Sequence, residues 1–271
     1  MAFDLRRLLI GLAVFIAGLC APLAAPAQTG AVKIGIVVMH GKGGTPTRFV
    51  AGLATGLESH GYLVANLEMP WSGRRQYDVG VSAAEGEVEA ALKALREQGA
   101  QKLFVAGHSQ GGLFALYFGG KHALDGIVAI APGGDVSSRF YMDKVSESVT
   151  LARKLVAEGK GDEKIRFNDF EGSRGSFPVT SPPAAYLTWF DPQGAMNQPN
   201  VIRNMSPATP VLFVGPTGDY PFLVKTKQQT FDALPKNPRS TLYEPSSSHL
   251  EAPSASLDEI VRWTTAVASG Q

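Results

Sequence analysis

The sequence predicts an α/β fold, a mostly parallel sheet flanked by helices. Past residue 30, short continuous apolar runs alternate with longer amphipathic stretches, the pattern of strands buried on both faces and joined by helical crossovers. With 271 residues, 44% of them hydrophobic and 18% charged, the chain has the material for one large core. That balance excludes disordered, collagen-like and multi-span membrane classes. A formal net charge of +1 with no basic stripe gives nucleic acid or an anionic membrane no electrostatic hold, so the expected partner is small. Oligomeric state is not legible.

The N-terminus stands apart from that core. Arg6 and Arg7 precede an apolar run from Leu8 to Leu19, Pro22 breaks it, and Ala25-Pro26-Ala27 supplies the small residues a signal peptidase accepts. Residues 1–27 therefore read as a signal peptide, because the run is short for a membrane span of about 20 residues. The expectation is a periplasmic or secreted protein with no stable membrane insertion after cleavage. The paired arginines leave general and twin-arginine export both open. Cleavage removes Cys20, the only cysteine, so the mature chain has no disulfide and no thiolate metal site.

The remainder, residues 31–271, reads as one domain. Candidate strands are Lys33 to Met39, Tyr62 to Glu68, Lys102 to Ala106, Gly126 to Ala131, Pro210 to Gly215 and Ser240 to Tyr243, each rich in Val, Ile, Leu or Phe. Helical spacing covers Pro46 to Ser59, Ser82 to Gln98, Gly111 to His122, Pro221 to Leu234 and Ala255 to Ala268. Open parallel sheets bind ligands at the carboxyl ends of their strands, so function is expected in the loops that follow them. One interval, about 133–207, is far longer than an ordinary connection and reads as an insertion. Ser146 to Glu158 is its helical part. Phe170, Phe177, Tyr186, Trp189 and Phe190 then stand among Gly and Pro, either forming a lid or cap over a cleft or filling a core of their own.

The most informative segment is Leu103-Phe104-Val105-Ala106-Gly107-His108-Ser109-Gln110-Gly111-Gly112-Leu113, an apolar strand running through Gly-x-Ser-x-Gly into a helix. A serine on so tight a strand-to-helix turn has its hydroxyl lifted clear of the sheet edge, and the helix N-terminus behind it favours a developing oxyanion. Here the chain resembles the α/β-hydrolase superfamily, its serine esterase and lipase members in particular. The strand ending in His40-Gly41-Lys42-Gly43-Gly44 resembles that family's oxyanion loop, which implies an oxyanion hole formed by the backbone amides of Lys42 and Gln110. A phosphate-binding P-loop does not fit: Gly35 and Gly41 are spaced too far apart, and Gly43 stands where Ser or Thr should bind magnesium.

A serine needs a base within hydrogen-bond reach, oriented by a third group. Of five histidines, His40 belongs to the oxyanion loop, His60 and His122 fall near helix ends, and His108 neighbours the serine. His249, after the last strand and before the last helix, stands where the family carries its catalytic histidine. The family order of serine, acid, histidine points to Asp219 as the acid, with Asp135 and Asp191 as alternatives and an N-cap as the other use of Asp219.

The resemblance covers roughly Val32 to Ala268 and implies a sheet trimmed at its N-terminal edge. It further implies a serine carboxylic-ester hydrolase: nucleophile Ser109, base His249, orienting acid Asp219, a small-molecule ester substrate, and no metal or organic cofactor. Acyltransferase, thioesterase and peptidase chemistry share this apparatus, and a non-catalytic binding protein on the same fold stays open. Glu68, Trp71 and Arg74 occupy a further post-strand loop, lining either the cleft or the surface.

Overall fold

The computed structural model describes residues 32–270; the expected signal peptide, Cys20 included, lies outside the described residues. In chain order the elements are β1 (Ile34–Met39), α1 (Ala51–Ser59), β2 (Leu63–Leu67), α2 (Val81–Glu97), β3 (Lys102–His108) and α3 (Gln110–Gly119). Then follow β4 (Gly126–Ile130), α4 (Arg139–Ala157), β5 (Ile165–Glu171), β6 (Gly175–Ser181), α5 (Pro183–Phe190) and α6 (Gln198–Arg203). The chain finishes with β7 (Val211–Val214), α7 (Pro221–Asp232), β8 (Thr241–Tyr243), α8 (Ala252–Ala255) and α9 (Leu257–Ser269).

Six strands form one parallel sheet in the order β2-β1-β3-β4-β7-β8. Every residue of β1, β4 and β7 is buried, which is why these segments read as continuous apolar runs. Side chains alternate between the faces. Val37, Met39, Leu103 and Val105 join a cluster with α2, α3 and the 133–207 interval, whereas Ile36, Val38, Phe104 and Ala106 meet Leu53 and Leu57 of α1 and Ile260, Trp263 and Val267 of α9.

The six expected strands are found, with β3 running on to His108. The first and last helices differ from expectation. The first begins at Ala51 because residues 45–50 are held in turns, with Arg48 N donating to Thr45 O (3.2 Å) and Asn66 Nδ2 to Pro46 O (2.8 Å). The last is split at the buried Ser256, which caps α8 and starts α9 at φ −103°, ψ 3°.

The 133–207 interval holds α4, an antiparallel hairpin of β5 and β6, α5 and α6. Helix α4 starts earlier than expected, at Arg139, where Ser138 Oγ accepts from Tyr141 N (3.3 Å) as an N-cap. Of the five aromatics named above, Phe170, Tyr186, Trp189 and Phe190 are buried, and they share one cluster with the sheet. Trp189 lies edge-on to Trp71 (5.5 Å) and tilted against Phe114 (5.6 Å), while Tyr186 stacks on Phe190 (4.1 Å). Truncating an aromatic so placed typically costs about 3–5 kcal/mol, a core contribution by magnitude.

Candidate active site

A single residue, Ser109, separates the end of β3 from the start of α3. Its backbone sits at φ 55°, ψ −118°, strain of about 1–3 kcal/mol for a residue with a side chain. Ser109 N donates to Ile130 O (2.8 Å), and its carbonyl accepts from the amides of Gly112 (2.9 Å), Leu113 (3.1 Å) and Gly133 (3.1 Å), so the turn is fixed from both sides. The flanking glycines are required by contact. A Cβ at Gly107 would lie 2.0 Å from Gly111 O, and one at Gly111 would lie 2.6 Å from His40 O. The second approach seats the loop after β1 directly on the turn.

His249 and Asp219 meet because the loops after β7 and β8 prolong the pairing of those strands: Thr217 N donates to Pro245 O (2.9 Å) and Gly218 N to Ser247 O (3.0 Å). His249 Nδ1 and Asp219 Oδ1 are 2.7 Å apart, with both side chains buried. The same carboxylate oxygen accepts from Tyr220 N (2.6 Å), and the Tyr220 ring stacks on the imidazole at 4.4 Å. The pair thus has Nδ1–H donating to the carboxylate, with Nε2 as the ring nitrogen that takes no part in it. Asp219 does not cap α7, whose N-cap is Tyr220. Asp135 is spent elsewhere, its Oδ1 accepting from Ser137 N (2.9 Å), Ser137 Oγ (2.7 Å) and Gln198 N (3.1 Å). Asp191 pairs with Arg153 at 2.9 Å.

The histidine next to the serine has a use that sequence reasoning missed. His108 Nε2 donates to His249 O (2.9 Å), fastening the His249 backbone to the residue preceding Ser109. Burial, aided by the nearby charge of His249, pushes the His108 pKa down to about 3. The unfolded chain therefore binds a proton between about pH 6.5 and pH 3 that the folded protein excludes, so this contribution to stability is whole above pH 6.5 and is lost as pH falls. From pH 7 to pH 5 the loss should be about 2 kcal/mol. Urea unfolding of wild type and His108→Gln at both pH values checks this: the decline should shrink by that amount in the variant, and equal declines would contradict it.

Among the described residues, the amides of Lys42 and Gln110 find no backbone acceptor. The side chains of the same two residues lead into a buried cluster. Lys42 Nζ donates to Asp169 Oδ1 (2.6 Å), Tyr141 OH (2.9 Å) and Phe170 O (3.0 Å), while the Tyr77 hydroxyl lies 2.8 Å from Asp169 Oδ2 and 3.2 Å from the Gln110 side-chain amide. A narrow crevice beside them is lined by Gly134, Val136, Tyr141, Trp189, Phe190 and Met196.

The other singled-out residues are structural. Trp71 is buried and its Nε1 donates to His40 O (2.8 Å), steadying the loop after β1, whereas Glu68 and Arg74 pair with each other at the surface. His40 Nε2 accepts from Met69 N (3.0 Å), and burial lowers its pKa. His60 bonds Gly56 O at 2.8 Å, and His122 stacks on Phe118 beside Glu85 and Glu89.

Residues 30–169, just over half of the chain, match the family described as serine aminopeptidase, S33. The chain belongs to this α/β-hydrolase family. The matched part of this S33 family member holds the loop after β1, the Ser109 turn and, as its last residue, Asp169; Asp219 and His249 lie beyond it. Solved structures share the fold. One from a study of the metagenome-derived lipolytic enzymes LipS and LipT is 16% identical with a TM-score of 0.60, covering 89% of this chain and 95% of that one. The monoacylglycerol lipase of Paleococcus ferrophilus is 22% identical at TM-score 0.52, with 88% and 95% covered. A soluble variant of monoglyceride lipase from Saccharomyces cerevisiae, in complex with a substrate analog, is 18% identical at TM-score 0.58, with 87% of each chain covered. No curated protein matches the chain. No helix among the described residues is long and apolar enough to cross a membrane.

Proposed function

We propose that the protein is a serine hydrolase that cleaves small carboxylic esters through an acyl-enzyme. The observation that carries this reading is the buried Asp219–His249 pair, fastened to His108, the residue before a strained serine. Ser109 Oγ attacks the ester carbonyl as His249 Nε2 takes its proton, and Asp219 stabilises the imidazolium. The carbonyl electron pair moves onto oxygen, held by the amides of Lys42 and Gln110. Collapse of the tetrahedral intermediate expels the alkoxide, which leaves as the alcohol with the proton from His249. Water activated by the same imidazole then releases the acid.

Two features favour an ester over an aminoacyl substrate, the reading the family description suggests. An aminopeptidase must hold its substrate's α-ammonium, which calls for an uncommitted carboxylate. Neither cavity beside the site is lined by a carboxylate other than Asp219, which is engaged with His249. The space by Gln110 is too tight to admit even a water molecule, and its walls are interlocked core aromatics. Walls so close leave no space for a long acyl chain, which favours the smallest acyl groups.

A series of p-nitrophenyl esters from acetate to octanoate, with alanine p-nitroanilide beside it, tests the reading. The expected kcat/KM is highest for acetate to butyrate and lower by about tenfold or more at octanoate, since overfilling such a pocket costs about 1–3 kcal/mol. Preference for octanoate would overturn the acyl-size assignment, and faster cleavage of the anilide would overturn the ester reading. The pattern of Arg6-Arg7, apolar run and Ala25-Pro26-Ala27 supports export, placing this activity in the periplasm or outside the cell.

A further inference from the structure

Asp169 lies on β5, outside the serine, histidine and acid that carry the proposed reaction, and is fully buried. Its Oδ1 accepts from Lys42 Nζ (2.6 Å), Tyr141 OH (2.6 Å) and Phe170 N (2.6 Å), and its Oδ2 from Tyr77 OH (2.8 Å). Lys42 Nζ uses its three hydrogens on Asp169, Tyr141 OH and Phe170 O, so the ammonium is saturated with no donor left for a substrate. Tyr77 has one hydroxyl proton, and the carboxylate is the stronger acceptor. Gln110 Oε1 lies 3.2 Å from the same hydroxyl, so the phenol stands between Asp169 and the Gln110 side chain. Burial and the adjacent Asp169 charge raise the pKa of both tyrosines well above the ordinary value, keeping them protonated as donors.

A buried ion pair with this desolvation cost is a poor device for stability alone, since well-packed apolar residues commonly do as well or better. Here it is also reached through strain. Gln76 and Tyr77 stand at φ 50° and 61°, a left-handed conformation unfavourable for side-chain-bearing residues, and are held there by β6: Thr180 N donates to Gln76 Oε1 (2.9 Å) and Ser181 Oγ to Tyr77 O (2.7 Å). What this arrangement accomplishes is geometric. The two side chains it secures, Lys42 directly and Gln110 through Tyr77, belong to the two residues whose amides face the oxyanion in the proposed mechanism. Those residues come from different elements, the loop after β1 and the first turn of α3.

We propose that Asp169 is a positioning residue for the oxyanion hole, a single buried carboxylate on the β5–β6 hairpin that sets the spacing of the Lys42 and Gln110 amides. The inference rests on the serine-hydrolase reading and adds to it that the 133–207 interval tunes transition-state stabilisation. Misplacing one such donor is worth about 100-fold in rate.

The test compares wild type, Asp169→Asn and Tyr77→Phe with p-nitrophenyl butyrate and with a trifluoromethyl ketone, whose hemiketal with the serine places an oxyanion in the hole. For Asp169→Asn the expected result is a kcat lower by about 100-fold with KM little changed, and ketone affinity lost in parallel. Tyr77→Phe keeps the ring and the Lys42–Asp169 pair and removes the hydroxyl that bridges Asp169 and Gln110; a parallel loss of about tenfold is expected. Unchanged kcat, or a fall in kcat with ketone affinity retained, would refute the positioning role. If Asp169→Asn does not fold, Tyr77→Phe decides alone. A wild type that hydrolyses no ester would instead refute the serine-hydrolase reading and this proposal with it, whereas an active wild type with unaffected variants refutes the positioning role only.

Discussion

Ser109→Ala is expected to lower ester turnover by about 10⁶-fold, the size of effect produced by removing the nucleophile from other serine triads. The folded state should be unharmed. Alanine inherits the backbone at φ 55°, ψ −118° with a side chain one oxygen smaller, and the turn is held by backbone hydrogen bonds that the change does not touch. Purified variant should therefore show a wild-type circular dichroism spectrum and melting temperature alongside the lost activity. Turnover that survived in pure, folded protein would mean that another group attacks the ester.

The second large effect concerns the acid. Asp219→Asn should cost about 10⁴-fold in kcat, because an amide NH₂ facing Nδ1 favours the wrong imidazole tautomer and cannot stabilise the imidazolium. Asp135→Asn should cost little by comparison, since Asp135 Oδ1 is bonded within its own loop and to Gln198 N rather than to an imidazole. Steady-state rates of both variants with one short-chain ester settle the ranking, and the reverse order would move the orienting role to Asp135.

How far the sequence carries this account depends on the range of each interaction. The parallel strands were readable because burial on both faces leaves an uninterrupted apolar run, as in Ile36-Val37-Val38-Met39. Ser109 was readable for a similar reason: steric demands confined to a few consecutive residues select Gly107 and Gly111 around it. The β5–β6 hairpin was not. Its buried Phe167 and Val179 alternate with exposed Arg166, Asn168 and Thr180, and Pro178, paired with Asn168, breaks the usual signature of a strand. The Lys42–Asp169 pair joins residues 127 positions apart, and nothing local to either marks it. Trp71 shows the converse, a residue in a post-strand loop that looks poised for a cleft yet is drawn into the core by Phe114 and Trp189. The use of His108 leaves no local mark, because its partner is a carbonyl of the distant His249 loop.

The most direct measurement of the central claim is peptide mapping by mass spectrometry after reaction with a fluorophosphonate, which phosphonylates an activated serine and expels fluoride. The account predicts one adduct per chain, on the peptide that contains Ser109, formed in step with loss of ester hydrolysis and absent from His249→Ala on the same timescale. An adduct on any other residue, or full loss of activity with Ser109 unmodified, would contradict it.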